Sequence, residues 1–189
     1  MNWLAHIHLS GDSPEARIGN VLPDLLRFSA LQELPADFVV GIDLHRKIDA
    51  YTDGHPVFRR SVSRIIGPLR RYGGILVDLF YDHFLARDWA SHSSLPLAGL
   101  VEDFHTSIDT FRSHLPELAY VRLTEIRDRG YLLSYGNTEG VAEELQRISA
   151  RLRRPVNLAA GMDDLLADYD SFASDFNEFY PQLRKHVGG

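Results

Sequence analysis

Six prolines stand at the heads of apolar-periodic segments, and their placement constrains this chain more than any other feature. Proline has a fixed φ and no N–H, so it suits the first turn of a helix and disrupts a helix interior or a central strand. Ser13-Pro14-Glu15, Pro35-Ala36-Asp37, Pro56, Pro68, Pro116 and Pro155 each precede residues with helical spacing. Behind Pro56, the residues Phe58, Val62, Ile65 and Ile66 share one face while Arg60 and Arg64 point elsewhere, which describes an amphipathic helix with a basic outer side. The same periodicity predicts helices over 95–112, 117–128, 138–153 and 171–186, with a turn at Ser134–Asn137. The start, MNWLAHIHLS, fits either period. As a strand it would put His6 and His8 on one side; as a helix it would separate them by about 200°. A lone strand would have no sheet to join, so a helix is expected there. The expected fold is all-α, a single-domain helical bundle over residues 1–189.

Composition removes several classes of function. The longest run without Lys, Arg, Asp or Glu, Trp89–Val101, is too short and too polar to span a bilayer. No basic n-region or cleavage pattern suggests a signal peptide. The absence of cysteine excludes disulfides and thiolate chemistry and makes a cytoplasmic protein the default. A net charge of −6 argues against general nucleic-acid binding. The charge is unevenly spread, however. Gly54–Val77 holds no acid but carries Arg59, Arg60, Arg64, Arg70 and Arg71, whereas after Pro155 the acids Asp163, Asp164, Asp168, Asp170, Asp175 and Glu178 dominate. The basic window reads either as a surface that meets anions or as a solvated helix face. No GxxxxGK[ST], GxGxxG or G-x-S-x-G pattern is present.

Polar residues also fall where the core should be. In the segment from Pro35 to Tyr51, the stripe of Phe38 and Ile42 continues onto His45 and Asp49. In the next long apolar segment, the stripe of Ile75 and Leu85 carries Asp78 and Asp82, again four apart, and His83 follows Leu79 on a neighbouring face. Asp24 lies among Leu22, Leu25 and Leu26. Burying such carboxylates without a counter-charge costs several kcal/mol. A divalent cation removes that penalty, and mixed imidazole and carboxylate donors suit Mn, Fe, Zn or Mg. Each residue taken alone has a plainer reading. His45 fits a hydrogen-bonded core histidine, Asp49 a partner for Arg46 or Lys47, Asp82 a cap or a partner for Arg87, and Asp24 a first-turn acid. His55 reads as a turn or cap residue.

Four blocks in order, NWLAHIHLS, GNVLPDLLR, GIDLHRKIDAYTDGHP and VDLFYDHFLARDW, resemble the acyl carrier protein phosphodiesterases. The resemblance covers the first half of the chain in detail and the second half only in its helical character, with the turn at SYGN and the SARLRRP segment in matching places. It implies an all-α fold related to the HD-domain metallophosphohydrolases. It further implies hydrolysis of the phosphodiester between 4′-phosphopantetheine and a serine of acyl carrier protein, with Mn2+ as the usual metal and Mg2+ or Fe2+ as alternatives. His6, Asp24, His45, Asp49, Asp78, Asp82 and His83 fall on the matching motif positions. On this basis Asp24, His45, Asp49, Asp78, Asp82 and His83 are expected around the metal, and His6, Asp24, Asp49 and His83 in catalysis. Arg46 and Lys47 are expected to neutralise the phosphate, and Arg59, Arg60, Arg64, Arg70 and Arg71 to dock the acidic carrier. The rival readings are an HD-type phosphohydrolase acting on a nucleotide or another small phosphodiester, and a non-catalytic binding protein with a structural metal.

Overall fold

The structure is a computed structural model in which residues 1–188 are described. Twelve α-helices and four short 3₁₀ turns make up the described residues, with no strand among them. The first six helices are α1 (Trp3–Leu9), α2 (Pro14–Leu25), α3 (Phe28–Leu31), α4 (Ala36–Gly54), α5 (Pro56–Arg64) and α6 (Gly73–Arg87). The second six are α7 (Leu97–Thr110), α8 (Glu117–Asp128), α9 (Tyr131–Ser134), α10 (Thr138–Arg151), α11 (Gly161–Ala167) and α12 (Tyr169–Val187). No helix is long and apolar enough to cross a membrane.

Local signals start these helices as the sequence predicts. The Ser13 hydroxyl caps α2 by accepting from the Ala16 amide at 3.1 Å, with Pro14 in the first turn. The His55 imidazole caps α5 from the same position relative to Pro56. Asn137 caps α10 through the Gly140 amide at 2.8 Å. The ambiguous first segment is helical, and His8 points away from His6 to meet the Tyr180 hydroxyl at 2.6 Å.

Two proline signals lead elsewhere. The segment behind Pro68 is a 3₁₀ turn over Gly67–Tyr72, entered through the positive φ of Gly67. Pro155 starts no helix. Leu158 is drawn fully into the core and its amide donates to the Ser149 hydroxyl, so regular helix resumes only at Gly161. Ile66, expected on the inward stripe with Phe58, is instead exposed beyond the end of α5.

The core is one continuous cluster running through almost every element. Its axis is α6, buried from Leu76 to Ala86 except at Asp78 and packed by α1, α5, α10 and α12. A helix apolar all round belongs at the centre of a bundle. A second, very close packing joins α2 to α4. A Cβ added at Gly41 would lie 2.2 Å from the Ala16 carbonyl oxygen, and one at Gly19 would lie 2.3 Å from that of Phe38. Only glycine permits these backbones to approach so closely, and both glycines flank residues of the site: Asn20 follows Gly19, and His45 lies one turn beyond Gly41.

Candidate metal centre

Three elements converge where α1, α2 and α4 meet. The ligand-capable atoms of His6 on α1 and of His45 and Asp49 on α4 lie within 4.8 Å of one another. His45 Nε2 is 3.0 Å from one Asp49 oxygen, and His6 Nε2 is 3.3 Å from the other. The two imidazoles stack with centroids 4.3 Å apart. Asp24 on α2 completes the group, 3.8 Å from His45 Nε2, with its other oxygen accepting from the Trp3 indole at 3.1 Å.

Asn20 decides which ring nitrogens face this centre. Its side-chain NH2 donates to the His6 carbonyl and to the Ser10 hydroxyl, so its amide oxygen must face His6 Nδ1 at 2.8 Å. His6 Nδ1 therefore carries the proton. The Asn20 backbone carbonyl does the same for His45 Nδ1 at 2.7 Å. One residue thus orients both imidazoles and directs both Nε2 atoms inward, the arrangement that supports ligating histidines. His6 Nε2 meets only oxygens there, from Asp49 and the Met1 carbonyl at 3.1 Å. Such a set fits a divalent cation: ligands each about 2.1 Å from a shared ion lie no more than about 4.2 Å apart, and small side-chain rotations close that difference.

Charges around the centre are strongly coupled. Burial acts to raise the Asp49 carboxyl, but hydrogen bonds from His45 and His6 and the nearby Met1 amino group hold it well below the usual carboxylate range. Burial would lower His45, yet Asp49 and Asp24 raise it. The Met1 amino group is buried and sits 2.8 Å from Asp78 and 3.7 Å from Asp49.

The remaining expected residues divide. Asp78 borders the centre through the Met1 amino group, and burial pushes its carboxyl above the ordinary range. Asp82 is close behind, but both its oxygens are engaged: they accept from the Leu4 amide at 2.7 Å and the Ala5 amide at 3.2 Å. Asp82 is thus a cap, though for α1 rather than its own helix, and burial pushes it up to about 7 against the pull of these amides. His83 is not brought to the cluster, since its ring spans the Tyr135 carbonyl at 2.8 Å and the Tyr169 hydroxyl at 2.6 Å. Arg46 pairs with Asp43 and lies over Phe28, and Lys47 is exposed.

The basic window is largely answered from within the molecule. Arg60 pairs with Asp175 and Glu178, and Arg64 with Asp175 and Asp168. The acidic stretch after Pro155 is thus the partner of the basic stretch after Pro56. Arg59 donates to the Asp53 carbonyl, while Arg70 and Arg71 stand exposed on the 3₁₀ turn that leads into α6. The sequence reading passed over Asn20 and Trp3. An uncharged amide set among Ile18, Val21 and Leu22 is the signal that would have identified Asn20.

The helical body thus brings together two histidines with oriented imidazoles and two carboxylates, a set of side chains that could hold a divalent cation. The family model described as acyl carrier protein phosphodiesterase matches residues 1–183, and the chain belongs to that family. Proteins named acyl carrier protein phosphodiesterase from Enterobacter sp. (strain 638) and Salmonella agona (strain SL483) are each 32% identical to it over 185 residues, covering 97% of this chain and 95% of theirs. The protein of that name from Escherichia coli (strain K12 / DH10B) is 31% identical over the same span. No solved structure matches the chain.

Proposed function

We propose that this chain, acting as one domain, hydrolyses the phosphodiester that joins 4′-phosphopantetheine to a serine of acyl carrier protein. The observation that carries this reading is the pair of imidazoles held by Asn20 beside Asp49 and Asp24, in a chain of this family. His6, His45 and Asp49 would hold a divalent cation, with Asp24 beside them; family resemblance favours Mn2+ over Mg2+ or Fe2+. Such an ion supplies Lewis acidity toward a phosphate and toward water.

The residues themselves do the rest. Asp49, kept ionised by its two histidines, gives the centre a fixed negative charge. Asp24 has one oxygen anchored by Trp3, which leaves the other to take the proton of an attacking water. Water adds to phosphorus, the bond from phosphorus to the serine oxygen breaks, and that oxygen leaves with a proton. The products are apo carrier protein and 4′-phosphopantetheine. Asp82 and His83 serve by holding α1 and the turn at Tyr135 rather than by touching the reacting atoms. Within the basic window, Arg70, Arg71 and Arg59 are the cations left to meet an acidic carrier, and charge reversal at Arg70 and Arg71 should raise KM in a salt-dependent way. The lack of cysteine supports a cytoplasmic site of action, and the net charge of −6 disfavours nucleic acid as a substrate.

The test is direct. Purified protein is incubated with holo carrier protein and Mn2+, with and without chelator, and the carrier is weighed by mass spectrometry. Loss of the phosphopantetheine mass is expected only without chelator. Asp49→Ala should abolish the loss while its helical circular dichroism persists. Full activity in that variant, or equal activity on small nucleotide phosphodiesters, would reject the reading.

A further inference from the structure

Beside the metal centre opens a cleft of about 200 Å³ between α1, α6 and α10. Asp24 and Asp78 reach it from the centre, Trp3 and Ile75 form an apolar side, and α10 supplies the opposite wall. On α10 the wall residues are Glu144, Ile148 and Arg151, spaced four and three apart and therefore on one helical face. Arg151 lies in the SARLRRP segment, to which the sequence assigns no role in the reaction.

Charge distinguishes one of these residues. An anion entering the cleft meets three carboxylates. Glu144 is nearly fully buried and paired with Arg147. Asp78 is matched by the Met1 amino group. Asp24 faces the cation site. Arg151 is the one Arg or Lys side chain among the lining residues, and its carboxylate partner, Glu125, is 3.3 Å away on the exposed side. Its guanidinium can exchange that contact for a second anion at small cost, because exposed pairs contribute little.

We propose that Arg151 binds the phosphate of the phosphopantetheine arm, while Ile148, Ile75 and Trp3 pack the branched carbon that follows it. This rests on the function proposed above and adds the substrate contact on the side opposite the metal ligands. The chemistry matches in order along the arm: a phosphate calls for a planar guanidinium, and the quaternary carbon with its two methyl groups calls for an apolar wall. The size also fits. Pockets for drug-sized ligands run to about 300–1,000 Å³, so this smaller cleft suits the phosphate end of an arm whose remainder stays outside.

The test uses calorimetric titration of the Mn2+-loaded protein with 4′-phosphopantetheine, with pantetheine lacking the phosphate, and with inorganic phosphate. Arg151→Met should weaken phosphopantetheine binding about tenfold or more and leave pantetheine binding unchanged, with Arg151→Lys in between. Ile148→Trp, which fills the apolar wall, should weaken phosphopantetheine and pantetheine alike while sparing inorganic phosphate. With holo carrier protein, Arg151→Met should raise KM about tenfold and change kcat far less. Unaltered phosphopantetheine affinity in Arg151→Met overturns the assignment. If the wild-type protein releases no arm from the carrier, the proposed function is what fails, and the titrations still decide whether this cleft holds a phosphopantetheine.

Discussion

Gly41→Ala isolates the geometric condition on which the centre depends. On an open helix surface this change should stabilise α4 by roughly 0.8–1 kcal/mol, since alanine is the better helix former. Here the new methyl would lie 2.2 Å from the Ala16 carbonyl oxygen, 2.7 Å from the Asn20 nitrogen and 2.8 Å from the Gly19 carbonyl carbon. All three are backbone atoms, so no rotamer change relieves the clash. Restoring ordinary contact requires α2 and α4 to separate locally by about 1 Å, an overpacking cost of roughly 1–3 kcal/mol. The His45–Asn20 hydrogen bond, 2.7 Å long, spans this same crossing and would be stretched beyond useful length. Losing a buried bond of that kind adds about 1–2 kcal/mol. Urea denaturation should therefore show a net loss of roughly 1–4 kcal/mol after the propensity gain is subtracted. Metal titration of the folded variant should show affinity reduced about 10–100-fold, the usual result of removing a partner behind a ligand. A Gly41→Ala protein that is more stable than wild type and binds metal equally well would refute the claim that this close approach builds the site.

Two further outcomes follow from the same structure. Asn20→Leu keeps the branched shape, with a somewhat larger side chain, but removes the amide that orients His6; metal affinity should fall about 10–100-fold while the helical circular dichroism remains, and unchanged affinity would show that the ring is held by packing alone. Asp175 gives a pH signature. Burial would raise its carboxyl, but donors from Arg60, Ser61 and Arg64 hold it below its ordinary 3.8. A depressed carboxylate adds stability that is fully present above about pH 4 and is lost as the pH falls through the lower folded value. Asp175→Asn should cost about 2–4 kcal/mol at neutral pH and make the unfolding midpoint less sensitive to acid below pH 4; equal acid sensitivity in both proteins would reject the linkage.

How much of this was legible beforehand depended on whether a signal was local. Caps and prolines act within one turn, so the starts of α2, α4, α5 and α8 could be read directly, as could the helical state of the first segment from the lack of any strand to pair with. The i, i+4 placement of His45 and Asp49 is likewise a property of one helix, and it survives intact in the centre. Pro155 misled because its local preference was outweighed by a tertiary demand, the burial of Leu158 with its amide on Ser149. Two of the five arginines, Arg60 and Arg64, have partners that the sequence could not show, for a related reason. Charge windows show sign but not distance, and here the acidic window folds back onto Arg60 and Arg64, leaving Arg59, Arg70 and Arg71 without an acidic partner among the described residues.

Asp82 shows where sequence reasoning stops in physical terms. A carboxylate in an apolar helix signals a buried negative charge that something must answer, and that inference was sound. What answers it is not written in α6. The first amides of any helix lack partners and carry the positive end of its dipole, so a helix N-terminus offers a buried carboxylate the same relief as a cation. Asp82 meets the start of α1 and receives two amides, while Asp49, on the inward stripe of α4, meets two imidazoles. The two aspartates share an i, i+4 placement on an inward stripe, yet they differ in burial and in what the fold brings opposite them. Asp82 nonetheless serves the centre, because the helix it caps is the one that carries His6.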